Sequence, residues 1–301
     1  MRASAGKYTP ASAAFLLSHW LDALAKTGSP RFPVDVISIA KGVGQQLGWK
    51  DEIVEVVADD IPNFEGGLLC IEPGRWAVIY NKTISSEGRI RFTLAHELGH
   101  FLLHLGTQDS FECSEEALLQ TGSLEQQIET EADAFASQLL MPLPQLRAMT
   151  DGKQVDFEVL SRASSLFGVS LTSVCLRWIR ATTESAVLVL SRDGFIDWAV
   201  SSDLARKNGA FFKYRQQVIE LPSSSMAADP GIASCKAGNV IPLNTWFEHA
   251  HHEAGGREMK IACDNYGYTL TLLSLSPTDK VWPPWDWERT AAIRGNQPAT
   301  K

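Results

Sequence analysis

The stretch Arg91-Phe-Thr-Leu-Ala-His-Glu-Leu-Gly-His100 constrains this chain more than any other. As an α-helix it sets His96 and His100 one turn apart on one face, so both imidazoles can reach a single Zn²⁺. Glu97 then stands beside them as a candidate general base. An H-E-x-x-H string alone occurs by chance in many proteins. Its weight depends on whether the flanks form a helix, cover the opposite face and supply a third ligand.

The flanks do predict a helix. Ser85 or Ser86 offers an N-cap, Gly106 offers a stop, and the helix between them should run to Leu105. At about 100° per residue, Leu94, Leu98, Phe101, Leu102 and Leu105 gather on one side as a core face. His96, His100 and His104 gather on the other with Arg89 and Thr93. A second helix begins near Leu124 and ends at Pro142, with Leu124, Ile128, Phe135 and Leu139 as its apolar stripe. On it Glu129 and Asp133 lie one turn apart, while Glu131 points about 200° away from Glu129. Only one of the two glutamates can therefore serve the metal. Glu129 is the expected ligand. Asp133 is the expected acceptor that fixes the tautomer of a ligand histidine, and Glu131 is a surface or supporting charge.

The remaining segments organise around these two helices. Ala11–Lys26 and Val34–Leu47 read as helices. The run Lys41-Gly-Val-Gly-Gln-Gln-Leu-Gly48 lacks a preceding strand and a G-K-[ST] ending, so it reads as a glycine-capped helix end and not a phosphate loop. Ile53–Ala58, Gly67–Glu72 and Trp76–Asn81 are short β-rich runs that predict a small antiparallel sheet. The last is either an ordinary buried strand or a sheet edge to which an extended peptide could add. Thr107–Gly122 reads as an acidic loop or a short helix around 115–120, with Cys113 as a loop cysteine. Phe157–Arg180 holds two helical stretches around Phe167-Gly-Val-Ser170, a helix–turn–helix spacing with Arg162, Arg177 and Arg180 for mild positive charge. Packing on the first domain is favoured over DNA binding for this pair.

From Ala186 the pattern turns to strands. Ala186–Ser191 and Phe195–Val200 flank the turn Arg192-Asp193-Gly194, and Met259–Cys263 and Tyr266–Leu275 flank Asp264-Asn265. His249, His251 and His252 read as exposed and not as a second metal site, and Trp282-Pro-Pro-Trp-Asp-Trp287 as a segment docked on its own domain. The expected organisation is α+β: residues 1–150 around the histidine helix, a helical connector over 151–182, and a C-terminal α/β domain over 183–301.

Charge and cysteine usage exclude several classes. A net charge of −8 rules out a uniformly basic surface for nucleic acid. No apolar run approaches the roughly 18 residues of a membrane span, and the N-terminal stretch does not read as a secretory signal. The five cysteines are widely spaced and contain no C-x-x-C, which argues against a disulfide framework or a cysteine zinc site and for a reducing cytoplasm.

Taken together, Phe64-Glu-Gly-Gly67, Arg91–His100, Glu129-Thr-Glu-Ala-Asp-Ala-Phe-Ala136, Leu139-Leu-Met-Pro142 and Leu166-Phe-Gly-Val-Ser170 resemble the ImmA/IrrE family of metallopeptidases over about residues 30–180. The resemblance implies a zincin-like fold and cytoplasmic, site-specific cleavage of a helix–turn–helix (XRE-like) transcriptional repressor in a stress, phage or mobile-element circuit. Carried over by position, His96, His100 and Glu129 would bind Zn²⁺, with Mn²⁺ as an in vitro substitute, and Glu97 would be catalytic. Longer members carry a GAF-like sensor domain, which the C-terminal region matches only in architecture.

A separate oxyanion donor has two candidates, His104 and Tyr80; His104 could equally support a ligand from behind. The competing reading is a non-proteolytic, zinc-containing transcriptional regulator in which the helical pair or the C-terminal domain binds DNA or a repressor. The adjacent glutamate Glu97 argues against it, because a purely structural zinc site needs no base beside its ligands. A weaker variant is an antitoxin-like or phage-linked partner held off by its own C-terminal domain. A protein substrate is expected in every proteolytic reading, and no membrane.

Overall fold

Capping chemistry sets the helix boundaries in this computed structural model, which describes residues 8–61, 64–106, 110–113 and 124–283. Helix α1 (Pro10–Ala25) opens with a reciprocal box in which the Thr9 hydroxyl accepts from Ser12 N–H and the Ser12 hydroxyl from Thr9 N–H. Helix α2 (Val36–Leu47) is capped by the Asp35 carboxylate on Ser38 N–H and closed by Gly48 in the left-handed region. The glycine-rich run is thus a helix end. Three strands follow: β1 (Glu52–Asp59), β2 (Gly66–Glu72) and β3 (Arg75–Asn81). Helix α3 (Glu87–Leu103) carries the histidines and is capped by Ser86 on Arg89 N–H. Strand β4 (Ser110–Cys113) follows; the loop or short helix expected at 115–120 lies outside the described residues.

The first sheet has the order β1-β3-β2-β4 and is mixed, not antiparallel throughout. β2 and β3 form a hairpin across Pro73-Gly74, but β1 runs parallel to β3, with Asp59 opposite Asn81. The chain must therefore cross the end of β3 between β1 and β2. The buried Asn81 holds that crossing: its amide donates to the carbonyls of Ile61 (3.0 Å) and Phe64 (2.9 Å), and its backbone N–H donates to Glu65. With neighbours on both sides, β3 is a central strand, and the edge expected at Trp76–Asn81 belongs instead to β1 and β4 among the described residues.

Helix α4 (Leu124–Leu140) packs along α3, and α1 packs against α4. A Cβ on Gly99 of α3 would meet the Ala132 Cα at 3.2 Å and the Phe135 ring at 3.0 Å, so the two helices approach at backbone distance. The packing leaves every residue from Thr93 to Leu103 buried. The histidine face is covered as well, by α4. Phe101, Phe135, Leu98 and Leu139 form the centre of this core. Short α5 (Leu143–Thr150) leads to α6 (Phe157–Phe167) and α7 (Leu171–Ile179), which meet at 112° across Gly168-Val-Ser170. Arg91 donates to the Gly168 carbonyl at that turn, and Arg177 donates to Met141 O. The chain divides into two compact units at Trp178/Ile179, so α6 and nearly all of α7 fall with the histidine helix. Among the described residues no single helix is long and apolar enough to cross a membrane.

The second unit is a five-stranded antiparallel sheet of β5 (Ser185–Arg192), β6 (Phe195–Ser201), β7 (Ser234–Pro242), β8 (Gly255–Cys263) and β9 (Tyr268–Leu275), in the order β6-β5-β9-β8-β7. The β5–β6 turn places Asp193 (φ 49°) and Gly194 (φ 84°) consecutively in the left-handed region, as a two-residue hairpin of primed type requires. Val187, Val189, Leu273 and Leu275 pack with Leu243, Trp246 and Phe247, and with Ala205 of the five-residue α8 (Asp203–Lys207). β7 carries no alternating pattern in its sequence and escapes prediction for that reason; its pairing with β8 is irregular between Cys235 and Asn239. Trp282 donates its indole N–H to Lys207 O, whereas Trp285 and Trp287 lie outside the described residues. His251 and His252 are exposed.

Candidate metal centre

Two helices and one hairpin build the site. From α3, the His96 and His100 rings converge with their Nε2 atoms 2.9 Å apart. From α4, the Glu129 carboxylate comes within 3.0 Å of His96 Nε2 and 3.4 Å of His100 Nε2. His96 and His100 are buried and Glu129 is nearly so, and the three ligand-type groups meet closely enough for one metal ion.

The outer nitrogens of the two rings are engaged by different partners. Asp133 Oδ1 lies 2.9 Å from His96 Nδ1. His100 Nδ1 lies 3.1 Å from His104 Nδ1, and His104 Nε2 lies 3.2 Å from Glu131 Oε2. Ring protons are assigned here from the network. A carboxylate can only accept, so His104 Nε2 carries the proton towards Glu131; His96 faces Asp133 at Nδ1 and Glu129 at Nε2, and its one proton in the neutral ring is assigned to the shorter contact, at Nδ1. His104 Nδ1 is then an acceptor, which requires His100 Nδ1 to donate. Both Nε2 atoms are left with lone pairs facing each other and an anionic Glu129. Such a donor set repels itself unless a cation sits among its members, and two imidazoles with a carboxylate are ordinary ligands of a divalent metal.

Electrostatics reinforce this assignment. Burial pushes His100 down to about 4, with His96 and His104 adding to the shift and Glu129 opposing it. Burial likewise lowers His104 against the pull of Glu131. For Glu129 burial acts to raise the carboxyl, but the close approach of the His100 and His96 rings prevails and holds it well below the usual carboxylate range. Gln127 and then His104 lower Glu131. The centre is thus a neutral His100 beside an ionised Glu129.

Glu97 is fully buried and lies against the sheet: a Cβ on Gly66 would stand 3.3 Å from Glu97 Oε1. Tyr80 pairs with Gly66 across β2 and β3 and so shares the sheet face turned to α3, as directly opposed antiparallel residues do. His104 turns both its nitrogens to His100 and Glu131, away from the convergent Nε2 atoms. The residue that helical geometry placed farthest from the site is Glu131, and it closes the chain of hydrogen bonds behind His100. The signal that could have found it is the third histidine one turn beyond His100, which needs a partner when buried.

Residues 50–178 match the family model Peptidase_M78, the IrrE N-terminal-like domain. No curated protein matches the chain. Among solved structures a similar chain is a Mycobacterium tuberculosis transcriptional regulator, at 14% identity and a TM-score of 0.48 over 87% of this chain and 76% of that one. The family model spans β1 to nearly all of α7 and with them the whole His96–His100–Glu129 cluster, so this segment of the chain is similar to the Peptidase_M78 metallopeptidases of the IrrE N-terminal-like type.

Proposed function

We propose that the first unit is a zincin-like, zinc-dependent metalloendopeptidase with His96, His100 and Glu129 as ligands and Glu97 as general base. The observation that carries this reading is the convergence of the His96 and His100 Nε2 atoms and the Glu129 carboxylate on one point. A bound Zn²⁺ would supply Lewis acidity that makes water nucleophilic near neutral pH. Asp133 holds the His96 proton on Nδ1, and Glu131 does the same for His100 through His104, so neither ring can turn its lone pair away. Glu97 takes the proton of the attacking water and returns it to the leaving amine. An extended peptide would pair with β4, because β3 is internal and β4 lies beside β2, whose Gly66 touches Glu97.

The substrate we propose is a helix–turn–helix (XRE-like) transcriptional repressor cut at one site in the cytoplasm, with the second unit as a GAF-like sensor or regulatory domain. The family match supports the first, and the separate antiparallel sheet supports the second. The test incubates candidate repressors with Zn²⁺ and either wild type or Glu97→Gln, and reads fragments by mass spectrometry. Cleavage by wild type alone, with zinc bound equally by both proteins, is the expected result. Equal cleavage by both would remove Glu97 from the mechanism, and absence of any zinc in the wild type would remove the metal.

A further inference from the structure

We infer that the second unit has a binding site for a small organic monocarboxylate, anchored by Lys260. A cavity of about 420 Å³ opens at one end of the five-stranded sheet, beneath the segment 227–233. Its floor is a row of paired strand residues, Ser191, Thr269 and Ala262, which share one sheet face because Ser191 opposes Thr269 and Thr269 opposes Ala262. The next row inward on that face contains Val189, Thr271 and Lys260. Lys260 lines the cavity and is 97% removed from solvent by its 3% exposure.

A buried ammonium is costly unless it is paired. Burial lowers the Lys260 ammonium and the charges of Asp229 and Glu258 act against that shift, but the hydrogen bonds of both carboxylates go to other groups. Asp229 accepts from Gly231 N–H, and Glu258 accepts from Ala227 N–H and the Trp246 indole. Lys260 itself donates to the Asp229 backbone carbonyl at 2.6 Å and, among the described residues, forms no ion pair. Of its three N–H groups, two have no protein acceptor among the described residues, and the directly opposed Thr271 hydroxyl is buried without a hydrogen bond. Two spare donors on a buried amine at the cavity wall suit the two oxygens of a carboxylate.

The rest of the lining defines what is attached to that carboxylate. Leu221, Ala227, Pro230, Ile232 and Ala233 are apolar, and Tyr268 adds an aromatic ring, so the body is compact and apolar. Arg192 also lines the cavity, but Asp193 and Asp264, from the two turns at this end of the sheet, balance it and Lys260, so the lining has no excess positive charge to suit a polyanion.

Calorimetric titration of the full chain tests the site, with benzoate as the carboxylate probe, benzyl alcohol as its neutral counterpart and inorganic phosphate as a different anion. Benzoate should bind, benzyl alcohol should not, and phosphate should bind more weakly. Lys260→Met, which keeps the length of the stem and removes the buried charge, should weaken benzoate about tenfold or more. Ala262→Leu keeps Lys260 and fills the cavity floor, so it should weaken benzoate even if Lys260→Met fails to fold. Failure of benzoate to bind, equal binding of benzyl alcohol, preference for phosphate, or unchanged affinity in Ala262→Leu would each overturn the assignment. So would unchanged affinity in a folded Lys260→Met.

Discussion

Gly66 is the point where the sheet touches the histidine helix, and Gly66→Ala should be destabilising for a reason that can be isolated. The new Cβ would stand 2.3 Å from Thr93 Cγ2, with Ile79 O at 3.4 Å and Glu97 Oε1 at 3.3 Å. An ordinary carbon–carbon contact is about 3.5–4.0 Å, so strand and helix must part by roughly 1 Å or Thr93 must leave its rotamer. Thr93 is buried, so relief through its side chain is restricted. Overpacking of this kind costs about 1–3 kcal/mol. For a unit of this size that lowers the unfolding midpoint by about 2–4 °C per kcal/mol. The assay is thermal or urea unfolding of wild type, Gly66→Ala, Thr93→Ser and the double variant. Serine lacks Cγ2, so the double variant should recover most of the loss, with a coupling of about 1–2 kcal/mol. Stability of Gly66→Ala equal to wild type, or purely additive effects, would refute the close-approach explanation.

Glu129→Ala should abolish zinc binding, whereas Glu131→Gln should retain metal with weaker affinity; full zinc occupancy in Glu129→Ala by elemental analysis would reverse the ligand assignment. Asp133→Ala should weaken zinc about 10–100-fold, read by competition with a chelator, because His96 loses the partner that fixes its tautomer. Asn81→Ala removes the amide that holds the crossing between β1 and β2 and should cost about 1–3 kcal/mol in urea unfolding; no measurable change would mean the crossing is held by its backbone alone. Asp35→Ala should cost about 1 kcal/mol near neutral pH as a lost helix cap. Hydrogen bonds from Ser38 hold the Asp35 carboxyl below its ordinary 3.8, so its contribution is present above that pH and is lost as pH falls through the lowered value. The two proteins should converge in acid, and a difference that persists there would assign the loss to packing.

The helix pair and its donor set were legible because helical period alone puts His96 with His100 and Glu129 with Asp133 on shared faces. Sheet topology was not legible, since period-2 alternation finds a strand without saying which neighbour it takes. β1 beside β3 depends on a crossing held by Asn81, and nothing in the local pattern of Asn81 announces it. The burial of the histidine face had a visible cause in Gly99, whose missing side chain lets α4 close over it, but a glycine within H-E-x-G-H can serve many purposes. Glu131 stayed open between a surface and a supporting charge because its angle was measured around its own helix axis. The partner helix presents His104 one turn farther along, and the crossing of the two helices brings them together. In the second unit the hairpin at Asp193-Gly194 was readable from turn chemistry, while β7, an irregular edge strand, left no periodic trace.

The hydrogen-bond chain from Asp133 through His96, and from Glu131 through His104 to His100, has a consequence for loading. Metal uptake ordinarily expels protons from its ligands. In the proposed site burial keeps His100 neutral near pH 7 and Glu129 is ionised, and the ring protons as assigned lie on nitrogens turned away from the point where the ligand atoms converge. Calorimetric titration of zinc in buffers of different ionisation enthalpy should therefore give nearly the same heat. The fold has arranged the site's protons before the ion arrives.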